Sequence, residues 1–127
     1  MTGTELLRLP LTCDRGAPGR ARDAVKRLQA IDPVREDAVL VVSELVSSAV
    51  LEVYGEPREP GDGEPRETIE LIATEVAHGV QLVVATQGTA VRPHPAAMSA
   101  SVVGAVARSW GLEWQGERTE LWAHLAV

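Results

Sequence analysis

The chain has 127 residues and a formal net charge of −6. This length suits one compact domain, and a hydrophobic content of 45% predicts a buried core. An acidic protein is poorly suited to non-specific nucleic-acid binding, which needs cations against the phosphates. No apolar run reaches the roughly 20 residues that span a bilayer, and the N-terminus lacks the apolar stretch of a secretory signal. We expect a single cytoplasmic domain, residues 1–127, that binds neither nucleic acid nor membrane.

The sequence begins with a predicted strand and a predicted helix. Residues 5–11, ELLRLPL, are typical of a short edge strand that ends at Pro10. Residues 17–30 have helical spacing, and their apolar positions share one face. These positions are Ala21, Val25 and Leu28.

The strongest helix is predicted over residues 31–55. Asp32 is a good N-cap, Pro33 suits the first helical position, and Gly55 ends the helix. Apolar residues cover most of its circumference, so we expect a central and largely buried helix. A glutamate in such a helix, Glu44, requires a reason, because a buried unpaired carboxylate is costly.

Two hairpins and a third helix are predicted in the second half. Residues 55–67, rich in Pro, Gly and charge, indicate a flexible loop. Residues 68–88 alternate with a period of two and predict a hairpin that turns at His78–Gly79. Small residues over 96–111 predict a helix that ends at Gly111, and residues 112–127 predict a hairpin turning near 115–117. The inward positions of the first hairpin are Ile69, Leu71, Ala73, Val80, Leu82, Val84 and Thr86.

The predicted order is therefore β-α-α-β-β-α-β-β. Consecutive hairpins imply a mixed, largely antiparallel sheet, and the three helices must cover one of its faces. The fold class predicted is α+β, a two-layer sandwich.

Four segments together resemble the GHKL superfamily of ATP-binding domains, whose fold is also called the Bergerat fold. DAVLVVSELVSSAV (37–50) is similar to the N-box helix of that superfamily, and LVVATQG (82–88) is similar to its second-strand segment. VVGAVARSWGLE (102–113) resembles the closing helix and turn, and ELWAHL (120–125) resembles the last strand. Within that superfamily, the chain most resembles the small single-domain proteins similar to anti-sigma-factor serine kinases that are common in high-GC bacteria.

The resemblance implies roles for two residues of the central helix. Glu44 matches the family glutamate that acts as general base on a water or hydroxyl. Ser48 stands where the family has an asparagine that holds Mg²⁺, and a hydroxyl is a poorer ligand than an amide oxygen. The chain contains no asparagine, so no shifted alignment with the family motif would place one at the metal position.

The adenine and phosphate positions implied by the resemblance are also substituted. Thr86 replaces the aspartate that accepts the adenine amino group, although Gly88 is retained. Ala97 and Ser99 stand where glycines of the phosphate loop are expected, and an added Cβ obstructs the approach of an anion.

The last family position is a threonine on the final strand. It corresponds to Thr119 or to Glu120, and a carboxylate there would repel a triphosphate. The metal ligand, the adenine acceptor, the phosphate loop and this threonine are thus all altered or in doubt. We expect a regulatory protein that acts by protein–protein contact and does not hydrolyse ATP. The sequence therefore favours a protein without enzymatic activity.

Two other functions stay open at this point. The chain is an active ATP-dependent serine/threonine kinase if Glu44 is the base, Ser48 contacts Mg²⁺ and Thr86 contacts adenine. Alternatively, the former nucleotide pocket, between helix 33–54 and the first hairpin, takes another small ligand. We expect no cofactor if the chain is a non-catalytic regulatory protein, and ATP with Mg²⁺ if it is a kinase. The expected partner is a regulatory protein such as a sigma factor or an anti-anti-sigma protein. A homodimer is compatible with the size.

Overall fold

The computed structural model describes residues 3–12, 14–54, 68–87, 102–115 and 118–126. It contains, in chain order, strand β1 (Thr4–Thr12), helix α1 (Ala17–Lys26), a 3-10 helix (Gln29–Val34), helix α2 (Arg35–Tyr54), strands β2 (Thr68–Val76) and β3 (Gly79–Gln87), helix α3 (Val102–Val106), and strands β4 (Ser109–Gln115) and β5 (Arg118–Ala126). The predicted α+β class is confirmed. The loop predicted over 55–67 lies outside the described residues.

The five strands form one sheet in the order β1-β2-β3-β5-β4. All four pairings are antiparallel, so the described sheet contains no parallel pair, where a mixed sheet was predicted. Helix α2 contacts β3 and β5, α1 contacts α2 and β1, and α3 contacts α2. For β2–β3 and β4–β5 the antiparallel pairing follows from the hairpins, because short connections join adjacent strands only in opposite directions.

One face of the sheet, called the core face below, is buried at alternate positions. All seven inward positions predicted for the first hairpin are buried, and six of them form three cross-strand pairs: Ile69 with Thr86, Leu71 with Val84, and Ala73 with Leu82. The period of two predicted this correctly because neighbouring strand residues point to opposite faces. Strand β5 continues the core face with Thr119, Leu121, Ala123 and Leu125.

The turn between β2 and β3 consists of Ala77 and His78, one residue earlier than predicted. His78 adopts a φ of 65°, which few residues other than glycine take. Gly79 is instead the first residue of β3. A Cβ there would lie 2.1 Å from the carbonyl oxygen of Leu125, so the close approach of β5 requires a glycine.

Strand β1 does not end at Pro10, and that prediction is wrong. The strand continues to Thr12, with Pro10 exposed and opposite Glu70 of β2. Proline lacks a backbone N–H and is tolerated on an edge strand, where one side has no neighbour to bond. β1 is the edge strand of this order, with β2 as its neighbour.

The predicted start of the central helix is also wrong. Asp32 and Pro33 belong to the 3-10 helix, and α2 begins at Arg35. The Asp32 carboxylate accepts a hydrogen bond from the Arg35 guanidinium, which also donates to the Lys26 carbonyl. The Asp32 carboxylate thus binds the Arg35 side chain, where an N-cap bond to the backbone N–H groups of the helix was predicted. The end predicted at Gly55 lies outside the described residues.

The first and last predicted helices end earlier than expected. Helix α1 ends at Lys26, so Leu28 follows the helix, partly buried against the core. Helix α3 ends at Val106, and Gly111 lies inside β4, where a helix end was predicted. A Cβ on Gly111 would be 3.0 Å from the Trp122 ring, so this glycine lets the indole lie over β4. The hairpin of β4 and β5 is confirmed.

Candidate functional site

Helix α2 places Glu44 and Ser48 one turn apart on a single ridge. Both residues are partly exposed, beside a buried side of seven residues. The Glu44 side chain therefore keeps access to solvent and avoids the desolvation cost that a buried carboxylate would carry. Among the residues of this helix whose side chains the structure describes, the seven buried ones are Ala38, Val41, Val42, Leu45, Val46, Ala49 and Val50.

The same exposed ridge carries an apolar side chain and a contact to α1. Leu40 is 50% exposed, the only large hydrophobic residue in the described part of the chain that is exposed. One turn along, Ser43 Oγ accepts a hydrogen bond of 2.9 Å from Arg22 Nη1 of α1. The two helices are thereby fixed side by side next to Glu44.

Thr86 and Thr119 are brought together by the sheet. They are direct cross-strand partners on β3 and β5, on the core face, with exposures of 7% and 5%. Opposed residues of an antiparallel pair have Cβ atoms only about 5 Å apart. The end of the core face therefore presents two hydroxyls, where the family pattern would place a carboxylate and a threonine.

Thr119 and Glu120, the two residues that could correspond to the family threonine, lie on opposite faces of β5. Thr119 shares the core face with Thr86, whereas Glu120 points to the opposite face, called the outer face below. Glu120 Oε2 accepts a hydrogen bond of 2.8 Å from Arg118 Nε. Its charge is therefore balanced on the outer face, and the expected repulsion of a triphosphate by Glu120 does not apply to the side of Thr86.

The outer face carries an ion network that the sequence did not predict. Arg8 of β1 contacts Glu5 at 2.7 Å and Glu70 of β2 at 2.8 Å. Arg118 of β5 reaches Glu70 at 3.5 Å as well as Glu120. Ala85 of β3 is the register partner of both Glu70 and Glu120, and it is buried. Because its side chain is small, Arg118 of β5 can extend over β3 to Glu70.

Two groups of this network have shifted acid–base behaviour. The hydrogen bond from Arg8 lowers the pKa of Glu5 below its ordinary value, with a smaller contribution from the positive charge. Hydrogen bonds to Glu5 and Glu70 raise the pKa of Arg8 above its ordinary value. Both groups lie on the exposed outer face, so solvent screens these interactions.

The remaining positions of the proposed nucleotide site, Gly88, Ala97 and Ser99, lie outside the described residues. The structure therefore unites Glu44 with Ser48 on α2, and Thr86 with Thr119 on the sheet.

Three cavities are lined by described residues, and none of these three lies between α2 and the first hairpin. One of about 330 Å³ is at the start of α2, and one of about 350 Å³ is at the N-terminal end of β1. A third, of about 210 Å³, lies beside Trp122 and His124 on the outer face. His124 Nε2 is buried, and no hydrogen-bond partner for it exists among the described residues.

The described residues contain no cluster of three or more His, Cys, Asp or Glu side chains that could hold a metal ion. None of the helices in the described part of the chain combines the length and the apolarity needed to cross a bilayer. His78, which showed no metal-ligand spacing in the sequence, is a turn residue.

The chain matches no family model, and a comparison with curated proteins also finds no match. The function therefore rests on the residues themselves and on the resemblance described above.

Sequence reasoning missed the exposed Leu40 and the Arg22–Ser43 contact. A signal for the first was present, because Glu36, Leu40 and Glu44 recur every four residues and so lie on one ridge. Charged residues at these positions indicate a solvent-facing side, on which Leu40 must also lie. The Arg22–Ser43 contact depends on how α1 and α2 pack, and no local pattern specifies that.

Proposed function

We propose that this chain is a GHKL-like domain of two layers that has lost ATP hydrolysis and acts by binding a regulatory protein. The observation that carries the proposal is that Thr86, at the position proposed for the adenine acceptor, offers a hydroxyl on the core face in place of a carboxylate. A carboxylate accepts strongly from the adenine amino group, whereas a threonine hydroxyl both donates and accepts, and does so more weakly. With Ser48 in place of the asparagine, the adenine acceptor and the metal ligand are both weakened.

The partner class that fits this proposal is a sigma factor or an anti-anti-sigma protein. The domain would sequester such a partner or join a partner-switching pair, as the resemblance implies. The net charge of −6 and the exposed acidic ridge of α2 are compatible with a protein ligand.

The test is a calorimetric titration of the folded protein with ATP and with ADP, each with and without Mg²⁺. We expect no heat of binding at micromolar affinity, because two groups that would contact adenine and metal are replaced. Circular dichroism of the same sample verifies that the protein is folded. Micromolar, Mg²⁺-dependent binding of ATP would contradict the proposal.

One observation favours an active kinase as the second candidate. Thr119 lies on the side of Thr86, and Glu44 is partly exposed, so two family positions keep a usable residue. In that case, Glu44 is the general base, and Glu44→Ala abolishes transfer of phosphate from ATP to a serine of an anti-anti-sigma protein. Glu113→Ala, which removes an exposed carboxylate from β4, is the matched control. Absence of transfer by the wild-type protein rejects this candidate.

A further inference from the structure

Two rings of β5 lie over glycines of the neighbouring strands on the outer face of the sheet. Trp122 lies over Gly111 of β4, where an added Cβ would be 3.0 to 3.1 Å from three atoms of the indole. His124 lies over Gly79 of β3, where an added Cβ would be 2.9 Å from Nε2. The two rings therefore extend from β5 in opposite directions, because β5 lies between β3 and β4.

The cavity of about 210 Å³ on the outer face is lined by both of these rings. Gln81 of β3 and Ser109 of β4 line it as well, and they are the register partners of His124 on its two sides. Register partners of an antiparallel pair have Cβ atoms only about 5 Å apart. An amide, an imidazole and a hydroxyl thus form one row across three strands, called the polar row below, with the indole beside it.

The described residues that line this cavity include no Asp, Glu, Lys or Arg. Besides the polar row and Trp122, they are Val76 and Ala77. An ionic ligand would lose its hydration there without gaining a counter-charge, which is unfavourable. Sites for drug-sized molecules measure roughly 300–1,000 Å³, so this smaller cavity suits an uncharged ligand with a single ring.

One nitrogen of the His124 imidazole is closed to a ligand. Nε2 is buried beside Gly79, and it has no hydrogen-bond partner among the described residues. A buried N–H without an acceptor is rare in proteins, so in the neutral ring we expect the proton on Nδ1. A ligand can therefore meet the imidazole only at Nδ1, which donates, or along its carbon edge. The amide of Gln81 and the hydroxyl of Ser109 each donate and accept.

We propose that this cavity binds a neutral polyhydroxylated ring, either a monosaccharide or a cyclic polyol. Each hydroxyl of such a ring both donates and accepts, so it can pair with a fixed donor on His124 and with the groups of Gln81 and Ser109. The C–H groups of the ring pack against the indole of Trp122, which supplies a large apolar surface. A charged derivative of the same ring would meet no counter-charge in the described lining.

This site is separate from the positions considered for ATP. The cavity lies on the outer face, whereas Thr86 and Thr119 lie on the core face. The inference therefore goes beyond the proposed function and does not depend on it.

The experiment is an amide NMR titration of the full chain with glucose, galactose and myo-inositol, and separately with adenosine. At least one of the three polyhydroxylated compounds should bind with a dissociation constant of about a millimolar, as expected for a small ligand with few hydrogen bonds. The signals that move should be the amides of Gln81 and Ser109 and the indole N–H of Trp122. Binding of a sugar alone assigns a monosaccharide site, and binding of myo-inositol alone assigns a polyol site. The monophosphate ester of the compound that binds should bind at least about tenfold more weakly.

Two variants test the polar row. Gln81→Ala and Ser109→Ala should each weaken binding by about tenfold, because each removes a group that pairs with a hydroxyl. Thr74→Ala is the matched control, since Thr74 is the register partner of Gln81 on β2 but does not line the cavity. It should leave binding unchanged, and a thermal melt of each variant verifies that it is folded.

Three results would overturn the inference. The first is that none of the three polyhydroxylated compounds moves the signals of the cavity at concentrations well above a millimolar. The second is that adenosine or the phosphate ester binds more tightly than the neutral compounds. The third is binding that both Gln81→Ala and Ser109→Ala leave intact, or that Thr74→Ala weakens as much as they do.

Discussion

Arg8 connects two strands through its guanidinium. It donates to Glu5, which directly precedes the irregularity in β1, and to Glu70 across the β1–β2 pair. Glu70 lies opposite Pro10, so it is the diagonal neighbour of Arg8 on the adjacent strand, and opposite charges at such positions support the register. The network thus helps to hold an edge strand that contains a proline.

The substitution Arg8→Gln should raise the pKa of Glu5 towards its ordinary value, because the hydrogen bond that favours the carboxylate is lost. In the wild type the pKa of Glu5 is lower in the folded than in the unfolded chain. Its stabilising contribution is therefore present above the unfolded pKa and disappears as the pH falls through the folded pKa. An NMR titration of the Glu5 carboxyl carbon measures the shift. Arg27→Gln is the control, and an unchanged Glu5 pKa in Arg8→Gln would contradict the assignment.

Single residues were the scale at which the sequence predicted least. The pairing of Arg8 with Glu70 joins residues far apart in the chain, and that pairing depends on the β1–β2 register. The same is true of Gly111, whose place under the Trp122 ring is visible only when β4 pairs with β5. A glycine after a helical stretch is typical of a helix end, so the local pattern predicted the wrong element.

Two leucines of helix α2, Leu40 and Leu45, have opposite environments. Leu45 is fully buried, whereas Leu40 is 50% exposed. Leu45→Ala removes buried methyl groups and leaves a cavity, so it should lower the free energy of unfolding by about 2–5 kcal/mol. Leu40→Ala should change it by less than about 0.5 kcal/mol. Chemical denaturation at a concentration where the protein is monomeric measures both, and equal losses would show that the helix is not oriented as described.

The β3–β5 pair provides a second prediction at the scale of elements. Gly79→Ala should destabilise the protein by about 1–3 kcal/mol, because the new Cβ meets the Leu125 carbonyl at 2.1 Å and the strands must separate. Gly19→Ala is the matched control within α1, where the nearest atom to a new Cβ is 3.5 Å away. It should stabilise the protein by up to about 1 kcal/mol through helix propensity. A thermal melt that finds Gly79→Ala neutral would contradict the close approach of the strands.

Elements with strong periodicity were predicted well, and their ends less well. The first hairpin was correct because alternation over two strands reports directly which side chains face the core. The start of α2 was missed because Asp32 and Pro33 fit both an N-cap and a 3-10 turn. The Arg35 guanidinium donates hydrogen bonds to the Asp32 carboxylate and to the Lys26 carbonyl at the end of α1. These bonds depend on how α1 and α2 pack, which the local sequence does not specify.

At the scale of the whole molecule, the α+β class could be predicted from the order of hairpins and helices. The candidate site could be predicted only in part. Glu44 and Ser48 are a pair by helical spacing alone, but the pairing of Thr86 with Thr119 requires the β3–β5 register. That register also places Thr119 on the same face as Thr86 and Glu120 on the opposite face.

The order of the sheet has a consequence for biosynthesis. Strand β5 is the last of the five strands to be made, yet it lies between β3 and β4 in the interior of the sheet. Until it leaves the ribosome, β3 has an open edge and β4 lacks the strand to which it pairs. Open edges invite pairing with other chains. A nascent chain that stops before residue 118 is therefore expected to be aggregation-prone, because it lacks the strand that joins the two parts of its sheet.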